Sequence, residues 1–371
     1  MVNLLASFIE VLSYAWYILL AILVLLFMIT VHELGHFIAG KILGFGIEEF
    51  SIGFGPKLFQ KKKTDGELIS VRLLPLGGYC AFVGEDAEDP DKKAFGNQAP
   101  WKRIIVLLAG VTMNYLVSLL LIALMFTFYG QGAITAYDTV NGTAVCETGL
   151  INGDVILKVE GKNVYMSTDL MIAIEGRSAG EEVKFTVVRG GERRDITVVL
   201  AVDTDFRNVE DAEKLSLALG MNCRYGEGGE LIDGGFRTSR YRLSFFEIIG
   251  KTFEYSFKLA STVFIVIGQL LRGTLGISSL GGTVTTVALA AEVIKIGGLS
   301  YLLNIAALIG VNLSLFNILP IPALDGARVI FTVIEWIRGK PLNRKVEAVI
   351  HTVGFVLILV FAVFIDLQRC F

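Results

Sequence analysis

The sequence predicts a polytopic α-helical membrane protein with about four transmembrane helices, a membrane-associated β-hairpin region and an inserted α+β domain. Three observations predict it. Hydrophobic residues make up 53% of the 371 and charged residues 19%, where an ordinary globular chain carries about 25% charge. Mean hydropathy is +0.63. Long uncharged runs flank one charged, glycine-rich stretch at 130–247. Disordered, fibrous and collagen-like classes are excluded by the same numbers.

The elements follow in chain order. Residues 11–31 lie uncharged between Glu10 and His32. No basic residue precedes Lys41, and the apolar stretch is too long for a cleavable signal peptide, so it reads as a span. A spanning helix needs about 20 apolar residues. On that basis we place spans at about 11–41, 102–129, 299–325 and 348–366. Phe50–Phe59 and Leu68–Val83 are strand-like runs joined by the polar turn Lys61–Gly66. The expected division is 1–129 (first part of the membrane core, with the hairpin at 50–83), 130–203 (inserted domain), 204–247 (connector), 248–295 (amphipathic or re-entrant segment) and 296–371 (second part of the core). Lys251, Glu254 and Lys258 at helical spacing suggest a helix lying on the membrane surface.

Lys and Arg concentrate in 42–100 and again between the last two spans, at Arg338, Lys340, Arg344 and Lys345. Those loops should be cytoplasmic, leaving 130–247 outside. The net charge of -3 offers nucleic acid no basic face. Cys80, Cys146, Cys223 and Cys370 are too widely spaced for a metal knuckle, and no disulfide framework is expected.

Chemistry concentrates in the first span. His32-Glu33-Leu34-Gly35-His36 is HExxH. On a helix the two imidazoles share a face and can reach one ion, with the intervening glutamate as general base. Ionisable residues inside a span cost about 2.5–3.5 kcal/mol each on insertion scales, so three within five positions demand a function. A catalytic zinc site needs a third protein ligand. Of the candidates, His351 has a helix-end role as its simpler reading, and Asp325 is preferred. It ends Asn317-Ile318-Leu319-Pro320-Ile321-Pro322-Ala323-Leu324-Asp325-Gly326, where two prolines break the helix and free backbone groups. Asn317 could satisfy those groups or contact a substrate backbone. Asp325 could instead pair with Arg328.

At these residues the chain resembles the site-2 protease family of intramembrane zinc metalloproteases. More narrowly it is similar to the regulator of sigma-E protease branch, which Ser51-Ile52-Gly53-Phe54-Gly55-Pro56-Lys57 and Leu76-Gly77-Gly78-Tyr79 also match. The resemblance covers most of the chain. It implies one zinc ion per chain held by His32, His36 and Asp325, with Glu33 as catalytic base. Asn317, Gly77, Gly78 and Pro320 are assigned to substrate binding. It also implies that the hairpin dips into the membrane, where an open strand edge could pair with an unwound substrate. Two departures stand out: Ser279-Leu280-Gly281-Gly282-Thr283-Val284 lacks the proline of the family's Ser-Gly-Pro-Val-Gly, and Asp325-Gly326 is followed by Ala327 rather than glycine.

Residues at about 133–202 resemble a PDZ domain, with Gly149-Leu150-Ile151-Asn152-Gly153-Asp154 before a strand and a hairpin turning at Gly190-Gly191. Such a domain could bind peptide ends. The expected partners are single-pass transmembrane substrates, such as anti-sigma factor stubs or signal-peptide remnants, the lipid bilayer, and peptide ends at the PDZ-like segment. The expected location is the bacterial inner (cell) membrane, with the site near the cytoplasmic face. Two other readings are a divalent-metal transporter and a non-catalytic membrane PDZ scaffold.

Overall fold

The computed structural model describes residues 2–368 apart from 65, 86–88, 138–148, 207–211, 221–222, 226–230, 274–275 and 277–280. Two compact units emerge, one from Met1–Met125 with Ile248–Phe371 and the other from Phe126–Glu247.

The first unit is helical. It contains α1 (Val2–Leu43), most of α2 (Pro100–Tyr129), α5 (Phe245–Leu271), α6 (Thr283–Ile318), α7 (Asp325–Arg338) and α8 (Arg344–Gln368). Among the described residues, four helices are long and apolar enough to cross a membrane: Val11–Leu43, Pro100–Tyr129, Val284–Ile318 and Lys345–Gln368. The four spans expected from sequence are therefore present, and the protein is a membrane protein. The third span begins earlier than the uncharged run suggests. Glu292 and Lys295 interrupt that run but lie on the exposed side of α6, while Ala290, Ala291 and Ile294 are buried with Ala21 of α1. The helix bends at Gly298, whose φ is 60°.

Without a hydrophobic drive between helices in lipid, close approach depends on small residues. Gly35 of α1 lies against the Ala109 carbonyl of α2, and Gly310 of α6 lies against Ser118 and Met28. A methyl group at either position would collide with its neighbour. Helix α5 buries Thr252, Tyr255, Ser256 and Leu259 and exposes Phe253, Phe257 and Phe264. Its hydroxyls meet other helices: Tyr115 Oη lies 3.1 Å from Ser256 Oγ, and Asn304 Nδ2 donates to Tyr255 Oη at 2.8 Å.

Between α1 and α2 runs the antiparallel pair β1 (Ile47–Lys62) and β2 (Leu68–Phe82). Both strands bend sharply. Residues 47–52 pair with 78–82 on one side and with 68–71 on the other, and 57–62 pair with 68–72. The bend is made at Gly53 and Gly55, with φ of 85° and 81°, in the left-handed region that favours glycine. Arg72 ties the bent sheet together. Its guanidinium donates to Ser51 Oγ, the Gly55 carbonyl, Glu49 Oε1 and Tyr79 Oη at 2.7–3.0 Å. Burial would raise the Glu49 carboxyl, but hydrogen bonds from Ser70, Tyr79 and Arg72 outweigh it and hold the group below its ordinary value.

The second unit is an α+β insertion. It comprises β3 (Gln131–Tyr137), β4 (Val155–Val159), β5 (Lys162–Asn163), α3 (Ser167–Ile174), β6 (Glu182–Arg189), β7 (Glu192–Val199), α4 (Ala212–Ala218), β8 (Cys223–Tyr225) and β9 (Leu231–Tyr241). The sheet runs β7-β6-β4-β3-β9-β8, with β5 on β4. Ile134, Ile156, Leu170, Phe185 and Val198 are fully or almost fully buried in its core. Asp154 of the Gly153-Asp154 turn is fully buried, accepting the Ile151 N–H at 2.9 Å and pairing with Arg189 at 2.8 Å. The stretch read from sequence as a connector supplies α4, β8 and β9, and β9 pairs with the whole of β3 from Gln131↔Tyr241 to Tyr137↔Gly235. Its Asp, Gly and Arg residues mask the strand pattern, and Arg237, Thr238 and Arg240 are exposed. Part of the PDZ-like segment, 138–148, and residues 279 and 280 of the altered glycine motif lie outside the described residues.

At the start of α2, Arg103 donates to Glu335 Oε2 of α7 at 2.5 Å and to Thr332 at 3.3 Å. Both charges are about 95% buried, and Glu335 also accepts the Leu342 N–H at 2.8 Å. Breaking one side of such a pair costs about 3–5 kcal/mol, whereas replacing both by apolar groups is close to neutral. Arg103→Met should therefore lower the unfolding temperature of the detergent-solubilised protein sharply, and adding Glu335→Leu should restore most of it. Equal melting of wild type and the single variant would contradict this.

Candidate metal centre

The site is built where α1 and α2 come close. His32 and His36 lie one helical turn apart, each about 7% exposed. Their rings meet edge to face with centroids 4.7 Å apart. Room for the rings comes from Gly110 of α2: a Cβ there would stand 2.5 Å from His36 Nε2 and 2.9 Å from His32 Cε1. Asp325, the first residue of α7, reaches the same point. Its Oδ2 lies 2.9 Å from His32 Nε2 and 3.3 Å from His36 Nε2, and the two Nε2 atoms are 3.1 Å apart. Arg328, the other partner considered for Asp325, pairs with Glu85.

These donors fit a zinc ion. Tetrahedral zinc with ligands at 2.0–2.1 Å puts ligand atoms about 3.3 Å from one another, close to the separations seen. The His36 tautomer suits the role. Its Nδ1 proton goes to the Val106 carbonyl at 2.8 Å, leaving the Nε2 lone pair facing the other donors. Asn114 of α2 sits 3.3 Å from His32 Nδ1, and its Oδ1 is buried with no hydrogen-bond partner. Turned about, that amide accepts the His32 Nδ1 proton through the otherwise unpartnered oxygen, and His32 Nε2 is likewise left as a donor to the ion. Three protein ligands leave one position open, as catalytic zinc sites require.

Glu33 points toward the hairpin. Its Cγ lies 3.6 Å from where a Cβ at Gly78 would stand. Gly78 is also 2.8 Å, by the same measure, from the Ser51 carbonyl, and a side chain at Gly77 would strike the Phe54 ring. Asn317, at the end of α6, places Nδ2 3.5 Å from His32 Nε2. Pro320 is exposed in the turn that leads to Asp325. Of the residues expected from sequence, His32, His36, Asp325, Glu33, Asn317 and Gly78 gather here. Gly77 abuts Phe54 and Pro320 stands on the connecting turn.

That turn is tightly specified. Leu319 donates to Phe316 O, Ile321 to Leu319 O and Leu324 to Ile321 O, while Pro320 and Pro322 have no N–H to place. Ala323 has φ of 82°, a strained value for a residue with a side chain that costs about 1–3 kcal/mol. Its N–H leaves the turn and donates to His351 Nδ1 of α8 at 3.0 Å. Gly326 lets α7 start directly against the Ile318 and Leu319 carbonyls. Gly110 and Asn114 were not singled out from sequence, and His351, weighed there as a third ligand, instead accepts the Ala323 N–H of this turn. Gly110 and Asn114 stand four apart on one helix, a face-sharing pair that becomes meaningful only once α2 is known to lie beside α1.

A membrane-embedded helical core with converging His, His and Asp donors and an adjacent glutamate defines a metallohydrolase class. Comparison with known proteins narrows it. The chain belongs to Peptidase family M50, the site-2 protease family, whose profile matches residues 20–361. Similar proteins bear the name putative zinc metalloprotease. One from Clostridium perfringens is 30% identical over 353 residues, covering 95% of this chain and 98% of its own. One from Fusobacterium nucleatum is 30% identical, covering 94% and 97%, and one from Nostoc is 30% identical, covering 95% of each. The protein is a zinc metalloprotease with zinc as cofactor, and the transporter and scaffold readings give way to it.

Gly110→Ala tests the crowding at the centre. Its methyl group must displace both imidazoles, so zinc affinity measured by chelator competition should fall on the order of 10–100-fold. Gly250→Ala, where nothing lies within 4 Å, should leave affinity unchanged.

Proposed function

We propose that the protein is an endopeptidase that cuts single-pass transmembrane segments within the bilayer, after an earlier cut has left a short stub. One observation carries the reading: His32, Glu33 and His36 sit on the apolar span Val11–Leu43, Asp325 is brought to them at the start of α7, and Gly78 of the hairpin lies beside Glu33. A soluble peptide would have no need of a site at that depth.

His32, His36 and Asp325 would hold the zinc. Bound there, zinc supplies a Lewis acid and lowers the pKa of water to about 7. Glu33 takes the proton from the attacking water and delivers it to the departing amide nitrogen. The C–N bond breaks, leaving a carboxylate on one product and an amine on the other. The Asn317 amide can donate to the scissile carbonyl oxygen as charge develops on it. A transmembrane helix hides its amides, so the substrate must unwind first. Gly77 and Gly78 present backbone with no side chain to obstruct an added strand, and Pro320 on the turn is assigned to the same substrate path. The substrate class is anti-sigma factor stubs or signal-peptide remnants. The orientation that places the site near the cytoplasmic face of the inner membrane rests on the lysine and arginine distribution. The 130–203 segment acts as a PDZ-like gate for trimmed peptide ends.

The test is cleavage of a detergent-solubilised single-span substrate by wild type and Glu33→Gln, with bound zinc quantified in both. Glu33→Gln should retain zinc and lose about 10²–10⁴-fold in kcat. Retained zinc with no cleavage by wild type across a varied substrate panel would defeat the proposal. Stripping the ion with a chelator should abolish cleavage, and adding zinc back should restore it. Activity that survives full zinc removal would contradict the assigned role.

A further inference from the structure

We infer that His351 is a positioning residue for Asp325: through Nδ1 it fixes the strained turn that delivers this carboxylate to the two histidines. The inference rests on the reading of Asp325 as a zinc ligand.

The chain of contacts is short. Asp325 opens α7, so its position is set by the five residues before it, Pro320–Leu324. Within that turn the remaining N–H groups of Ile321 and Leu324 are satisfied locally, and the Ala323 N–H alone is directed to another helix, at His351 Nδ1, 3.0 Å away. Ala323 is also the residue with positive φ. Strain of that kind persists only where surroundings over-determine it. α8 supplies the surroundings twice. One turn after His351, Gly354 lies directly against Pro322, where a Cβ would stand 2.7 Å from the Pro322 carbonyl oxygen. The His351 ring is in turn held edge to face by Phe331 of α7, with centroids 5.6 Å apart. The imidazole therefore touches both the turn and the helix that carries the ligand.

The hydrogen bond also fixes a chemical requirement. An acceptor is needed at the position of Nδ1, so any replacement must present a lone pair at that place. Asparagine does so, because its Oδ1 occupies nearly the position of Nδ1. Glutamine does not, because its Oε1 corresponds to Nε2. Bulk and polarity are similar in both, so a merely packed or merely polar His351 would not distinguish them.

The experiment compares His351→Asn, His351→Gln and His351→Ala in the full-length detergent-solubilised protein. Zinc affinity is measured by chelator competition, with kcat and KM on a single-span substrate and thermal unfolding as a folding control. Asparagine should lie within about threefold of wild type. Glutamine and alanine should bind zinc about tenfold or more weakly, with kcat reduced and KM little changed. If all three variants match one another, whether intact or equally impaired, the inference is overturned. Zinc affinity is read without turnover, so a wild type that binds zinc but cuts nothing defeats the proposed proteolysis and leaves the His351 comparison decisive.

Discussion

Ionisable groups placed inside an apolar helix must be satisfied by something other than water, and much of the membrane core is arranged around that requirement. His32 and His36 cannot snorkel to an interface, since each is almost fully buried. Their Nδ1 atoms face Val106 and Asn114 of α2, and their Nε2 atoms face Asp325. A divalent ion completes the set, because two neutral imidazoles and one carboxylate leave a positive charge to be supplied. Gly35 and Gly110 follow from the same constraint: without them α2 could not approach closely enough to orient the rings.

The second constraint is that Asp325 must arrive from nearly 300 residues away in sequence. Helix α6 stops, the Pro320–Leu324 turn redirects the chain, and α7 begins with the ligand itself. A flexible loop would lose the ligand to many conformations. Two prolines, a strained alanine and contacts from α8 remove that freedom. The hairpin has a parallel design. Bends at Gly53 and Gly55 fold β1 and β2 onto themselves, Arg72 locks the fold, and Gly78 is brought close to Glu33.

The span count, HExxH and Asp325 were legible in sequence because each is a local signal: a charge-free run, an i, i+4 pair, a proline-broken helix end. What was not legible depends on which helices become neighbours. Asn114 looks like any polar residue in a span until it is found 3.3 Å from His32. His351 looks like a helix-end residue until the Pro320–Leu324 turn is seen to present its N–H. The start of α6 was obscured by Glu292 and Lys295, whose charges are harmless on an exposed face. β9 was hidden for a related reason, since its exposed Arg237, Thr238 and Arg240 and its two glycines leave little apolar alternation.

The pairing of Gln131 with Tyr241 has an architectural meaning. The chain enters the second unit and leaves it along adjacent antiparallel strands, with Gly130 packed directly against the Tyr241 carbonyl. Topologically the whole unit is therefore an elaborated loop between two helices, stapled at its base. Such a base decouples the insertion from the core in evolution. Strands and helices can be added or lost beyond the staple while the ends that α2 and α5 must meet stay the same distance apart.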